Sequence, residues 1–200
     1  MNRLSSFAAF ATPLLAGLAA VAWVGAGYAG SYPLALAVTL VIGAFFLLGT
    51  LELHRYRQAT QTLADALATL PDPAPPLSDW LPRIHPTLRS AVRLRVEGER
   101  AGLPGPALTP YLAGFLVLLG MLGTFVGMVA TLKGTGLALE SAADLAAVRA
   151  SLAAPVKGLG VAFGTSLAGV AASAMLGLMS ALARRERLQA GQALDSRIAT

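Results

Sequence analysis

The chain has 200 residues, 56% of them hydrophobic and only 12% charged, with a formal net charge of +5 and no cysteine. That balance excludes a soluble globular domain, whose helices and strands each need a wet face. It also excludes disulfides, thiolate nucleophiles and cysteine-based metal sites.

The charges are unevenly placed: residues 4–51, 101–132 and 158–183 contain none. A helix needs about 20 apolar residues to cross a bilayer, so the first stretch holds two spans and the others one each. The expected spans are 7–26, 33–51, 111–132 and 158–182. The first reads as a span rather than a cleaved signal peptide, because its apolar run is long and a second span follows at once. The fold class expected is all-α, an integral membrane protein with four transmembrane helices.

Arginine placement sets the expected orientation. Residues 52–110 carry seven arginines, and Arg184, Arg185, Arg187 and Arg197 follow the last span. The turn at 27–32 has no charge, and 133–157 is nearly balanced. Both termini and the long loop are therefore expected in the cytoplasm. The basic pI is this bias, and no nucleic-acid partner is expected.

In chain order, 1–53 reads as a peripheral transmembrane hairpin and 54–106 as a cytoplasmic helical loop. Helix two is expected to continue over 54–70, with Leu63, Leu67 and Leu70 on one face, until Pro71, Pro73, Pro75 and Pro76 stop it. A short basic helix is expected over 87–100, its arginines forming a solvated face near headgroups. Trp80 and His85 sit in the Pro-rich segment, where a lone histidine reads as structural or incidental rather than as a metal ligand. Residues 107–183 form a second hairpin with an outer loop at 133–157. That loop should hold a short helix near 141–152, capped by Ser141 with Asp144 at N3. Residues 184–200 read as a helix leaving the membrane, or as the start of a longer tail.

The two later spans carry the functional signal. Gly120, Thr124, Gly127 and Thr131 share one helical face, with Gly123 beside it. On the last span Ala162, Ser166, Gly169, Ser173, Gly177 and Ser180 form a second small-and-hydroxyl face, and Thr165 lies about 100° to one side. Such faces suit close helix packing or the wall of an ion path. The residues alone leave both open. No phosphate-binding glycine loop, nucleophile elbow or histidine cluster occurs, so no enzyme, metal or cofactor is expected.

The segment Gly120 to Met128, Gly-Met-Leu-Gly-Thr-Phe-Val-Gly-Met, resembles the Gly-Leu-Leu-Gly-Thr-Val-x-Gly-Met signature of the TolQ and ExbB proteins. Val161 to Gly169, Val-Ala-Phe-Gly-Thr-Ser-Leu-Ala-Gly, resembles the Ala-x-x-x-Thr-x-x-Gly segment on the final helix of the MotA/TolQ/ExbB superfamily. Aligned on Gly169, that segment's pore threonine falls on Ser166. The Ala-Phe-x-Thr-Ser-x-x-Gly pattern looks closest to the ZorA-like branch, which is associated with phage defence. The resemblance covers residues 105–185, with topology alone supporting the first half.

The resemblance implies a ring subunit, or stator, of an ion-driven motor in a bacterial inner membrane. Five copies would surround a dimer of a single-span partner of the MotB, TolR, ExbD or ZorB kind, whose aspartate relays the ion. The ion would be a proton, with sodium as the alternative. On this reading Thr124, Ser166, Thr165 and Ser173 line the ion pathway, and Gly120, Gly123, Gly127, Gly169 and Gly177 let the helices pack. No carboxylate or histidine lies within any expected span, so the relay group would have to come from another chain. The glutamate that ExbB-like members carry five residues before the threonine is Val161 here, a departure shared with MotA. The rival reading is a non-conducting scaffold that anchors a cytoplasmic tail.

Overall fold

A computed structural model describes residues 3–71, 75–99, 101–140 and 145–198. The long helices are α1 (Arg3–Tyr28), α2 (Pro33–Ala68), α5 (Thr109–Glu140) and α6 (Leu145–Ile198), with the short α3 (Leu77–Trp80) and α4 (Pro86–Val96) between α2 and α5. All four long helices are long and apolar enough to cross a membrane.

The local chemistry explains the breaks. Gly30 takes φ +83°, a left-handed conformation that glycine adopts without a Cβ clash, and the chain reverses there. Pro33 then opens α2 at a position where its missing N–H costs nothing. Gly98, at φ +92°, ends α4, and the Glu99 N–H returns to the Leu94 carbonyl at 2.9 Å.

Helix α6 is the centre of the bundle. Its most extensive contact is with α5, and it also packs on α2 and α1. The apolar core between these helices is filled by Ile42, Phe46, Leu116, Leu176 and Met179, all fully buried. Gly49 lets Leu176 approach: a Cβ built on Gly49 would lie 2.7 Å from the Leu176 side chain.

A second core lies at the arginine-rich end, and we refer to that part as the head. Leu63 and Leu67 of α2, Trp80, Ile84, Leu88 and Val92, and Ala190 and Leu194 of α6 pack there. Helices α2 and α6 therefore run through both cores. Trp80, from the Pro-rich segment, is buried in the head. His85 is the N-cap of α4, its ring nitrogen accepting from the Thr87 N–H at 3.4 Å.

The outer connection differs from expectation. Beyond the short helix expected near 141–152, the connection over 133–157 is helical on both sides, since α5 continues to Glu140 and α6 begins at Leu145. Lys133 and Lys157 end the apolar segments without ending the helices, because charge sets where a span stops and not where backbone hydrogen bonding stops. The expected cap at Ser141 and Asp144 lies outside the described residues.

Candidate functional site at the seam of the last two long helices

The glycine faces of α5 and α6 meet each other. A Cβ on Gly169 would stand 2.6 Å from the Leu116 carbonyl oxygen and 2.8 Å from Gly120 Cα. A Cβ on Gly120 would stand 3.2 Å from the Cα atoms of both Gly169 and Ser166. About two turns further, a Cβ on Gly127 would be 3.1 Å from the Ala162 Cβ. Gly158 lies directly under the Thr131 side chain. Backbone touches backbone along this line, so any side chain at Gly120 or Gly169 would force the helices apart.

The hydroxyls are distributed around that seam in distinct ways. Thr124 donates to the Gly120 carbonyl at 3.1 Å and, across the seam, to the Ala162 carbonyl at 3.3 Å. Thr165, 1% exposed, donates to the same Ala162 carbonyl at 2.8 Å and packs against Gly123. Ser173 crosses to the Ala113 carbonyl at 2.8 Å. Thr131 bonds back to the Gly127 carbonyl at 2.7 Å.

Ser166 is different. A serine in a helix ordinarily bonds back to the carbonyl four residues earlier, which here is that of Ala162. That oxygen already accepts from Thr124 and Thr165. The Ser166 hydroxyl makes no hydrogen bond among the described residues, is half-buried, and borders a groove between α1 and α6 lined by Trp23, Tyr28, Phe163 and Val170.

The structure thus brings together Gly120, Gly123, Gly127, Gly169, Thr124, Thr165, Ser166 and Ser173. It does not bring Gly177 to the seam: that residue is exposed, with nothing within 4 Å of a Cβ built there. The helical face inferred from the sequence continues through Gly177, but α5 begins at Thr109 and α6 runs on past it into the head.

Several residues that hold the seam in place escape the sequence pattern. The Tyr28 hydroxyl sits against Gly164, a contact only glycine permits. Glu52 of α2 caps the start of α5: its carboxylate accepts from the Ala107 and Leu108 N–H groups at 2.9 and 2.8 Å and from the Thr109 hydroxyl at 2.6 Å. Arg187, 4% exposed, donates to the Thr60 hydroxyl and to the Tyr56 and Pro104 carbonyls, and stacks on the Tyr56 ring at 4.0 Å.

The arginine-rich loop is only in part the solvated face expected from its composition, with Arg93 exposed and others bonded within the head. Arg57 is buried and grips Glu186 with two 2.8 Å bonds, its guanidinium lying 4.4 Å above the Phe10 ring. Arg95 pairs with Asp195 at 2.9 Å and holds the Ala101 carbonyl. Arg89 donates to the Ile84 and Pro82 carbonyls. No metal-binding group of His, Asp or Glu forms among the described residues. No family model matches the chain, and no curated protein or solved structure does either.

Proposed function

We propose that the chain is a ring subunit of an ion-driven membrane motor. In this reading copies of it enclose a single-span partner that carries an aspartate, and ion passage at that carboxylate drives movement of one part against the other. The ion is a proton, with sodium as the alternative, and the ring is a pentamer in a bacterial inner membrane.

The observation that carries the reading is the state of Ser166. It occupies the position that the resemblance aligns with a pore threonine, and its hydroxyl has no partner among the described residues while its neighbours' hydroxyls do. Thr124 and Thr165 saturate the Ala162 carbonyl, and in doing so they leave Ser166 available to an outside carboxylate or a passing ion. Thr124 and Thr165 therefore act by positioning, with Ser166 as the contact.

A specific observation also favours the scaffold reading: the small-residue faces of α5 and α6 are already occupied by each other. One experiment separates the two. Ser166→Ala removes no hydrogen bond among the described residues, so subunit stability and ring recovery should stay at the native level. If Ser166 meets the ion or the partner carboxylate, proton flux in vesicles holding both proteins should fall by about tenfold, the cost of one lost hydrogen bond to a charged group. Thr124→Val should give a smaller loss. Native flux in Ser166→Ala vesicles rejects the motor reading and leaves the scaffold.

A further inference from the structure

Ser166 has an open side, and one aromatic side chain stands at its edge. The groove of about 870 Å³ that the hydroxyl borders has α6 as one wall, at Gly160, Phe163 and Gly164, and the last turns of α1 as the other. Apart from the Trp23 indole, the side chains lining it carry two polar groups, the hydroxyls of Ser166 and Tyr28. Gly164 lies two residues before Ser166, and it is where Tyr28 meets α6.

Tyr28 is fixed at both ends. Its carbonyl accepts from the Ser31 and Tyr32 N–H groups at 3.2 and 3.1 Å, so its backbone belongs to the turn between α1 and α2. Its ring stands edge-on to the Tyr32 ring, with centroids 6.4 Å apart. Its hydroxyl is hydrogen-bonded to the Thr165 backbone, the kind of polar partner that a buried phenol needs. That hydroxyl fills the space a side chain at 164 would take. A Cβ built on Gly164 would overlap the oxygen and stand 3.0 Å from the ring carbon that carries it. Val24, one turn earlier on α1, flanks the same spot at 3.6 Å.

We propose that Tyr28 is a positioning residue for the Ser166 site and that Gly164 is its seat. Seated, the phenol closes the contact between α1 and α6 and leaves the groove in front of Ser166 clear. With Tyr32 and Val24 beside it, the groove is the space left to a ring denied its place at Gly164. Unseated, the ring stands in the approach that a partner carboxylate or an ion would use. The inference rests on the motor reading, because it concerns access to the hydroxyl on which that reading depends. If Gly164 served helix packing alone, a side chain there would act on stability and assembly and not on access.

The test is proton flux in the same vesicles, read with a pH-sensitive dye, beside ring recovery. Gly164→Ala puts one methyl in the seat and should lower flux by about tenfold, the equivalent of ordinary overpacking at one contact, at native ring recovery. Adding Tyr28→Phe removes the oxygen that the methyl overlaps and leaves the ring carbon only a few tenths of an ångström to give. The double variant should regain most of the lost flux. Tyr28→Trp leaves α6 unaltered and carries a side chain too large for the seat, so it should lose flux like Gly164→Ala and decides the matter if that variant fails to assemble. Native flux in Gly164→Ala or in Tyr28→Trp overturns the proposal, as does a loss that Tyr28→Phe does not relieve. Ser166→Ala keeps the two readings apart. Native flux there rejects the motor and this inference with it, whereas impaired flux there with native flux in Gly164→Ala rejects the role of Tyr28 alone.

Discussion

Individual glycines in this protein divide into those that touch backbone and those that touch nothing. Gly169 belongs to the first group, since the atoms facing it are the Leu116 carbonyl oxygen and Gly120 Cα, neither of which can rotate away. Gly169→Ala should therefore destabilise the subunit by at least about 2 kcal/mol, the usual scale of overpacking, read as a lower midpoint in denaturant titration. Gly177→Ala faces open space and should stay within about 0.5 kcal/mol of wild type. The sequence made Gly120, Gly127 and Gly169 legible because a 3.6-residue period needs only one helix to be seen. It could not separate them from Gly177, because contact depends on where the second helix ends. Ser166 was found by the same period. The freedom of its hydroxyl was not, because that depends on Thr124 reaching across from another helix to the Ala162 carbonyl.

At the scale of elements, the entry of α5 is the most firmly held point. The segment leading into it is tied at the Ala101 carbonyl by Arg95, at the Pro104 carbonyl by Arg187, and at the Ala107 and Leu108 N–H groups by Glu52. Glu52 does what a capping side chain normally does from within the same helix, satisfying donors that α5 itself leaves open. Glu52→Ala should cost about 1 to 2 kcal/mol. Amide hydrogen exchange at Ala107 and Leu108 should then accelerate by about tenfold, with α1 unaffected. Equal exchange in both proteins would show that the tie is incidental. Spans were legible from hydropathy, and so was the extension of α2 past its apolar half. The helix continuing beyond Lys133 was not legible, because the charge that limits a span leaves backbone hydrogen bonding untouched. Glu52 read only as the first charge after a span, since its partners lie more than fifty residues away.

Across the whole molecule, the two cores are joined by buried charge as well as by packing. Arg57 and Glu186 link α2 to α6 just beyond the apolar core, with Phe10 of α1 beneath the guanidinium. Removing one member of a buried pair costs more than the pair contributes, because the remaining charge stays desolvated. Glu186→Gln should lower stability by about 3 kcal/mol. The double variant Arg57→Met with Glu186→Leu should recover most of that loss, measured by thermal unfolding in detergent. A double variant no more stable than Glu186→Gln would mean the site needs charge for its own sake. The arginine count was visible in the sequence and served for orientation. Its use as internal stapling was not, because Glu186 is one of two acids in a basic tail and nothing near it identifies Arg57 as its partner.

Helix α6 runs unbroken for 54 residues, about 80 Å at 1.5 Å per residue. One stretch of it is registered against α5 at Gly169 and another against α2 at Arg187 and Leu194. Those two registrations share a single angular phase, since each residue turns the helix by about 100°. A twist applied at the Ser166 level has continuous helix between it and Arg187, with no loop in which to dissipate. The same stiffness makes the rod intolerant of added length. One residue inserted between Ser180 and Arg184 would put the seam and the head about 100° out of phase unless a local π-bulge absorbed it.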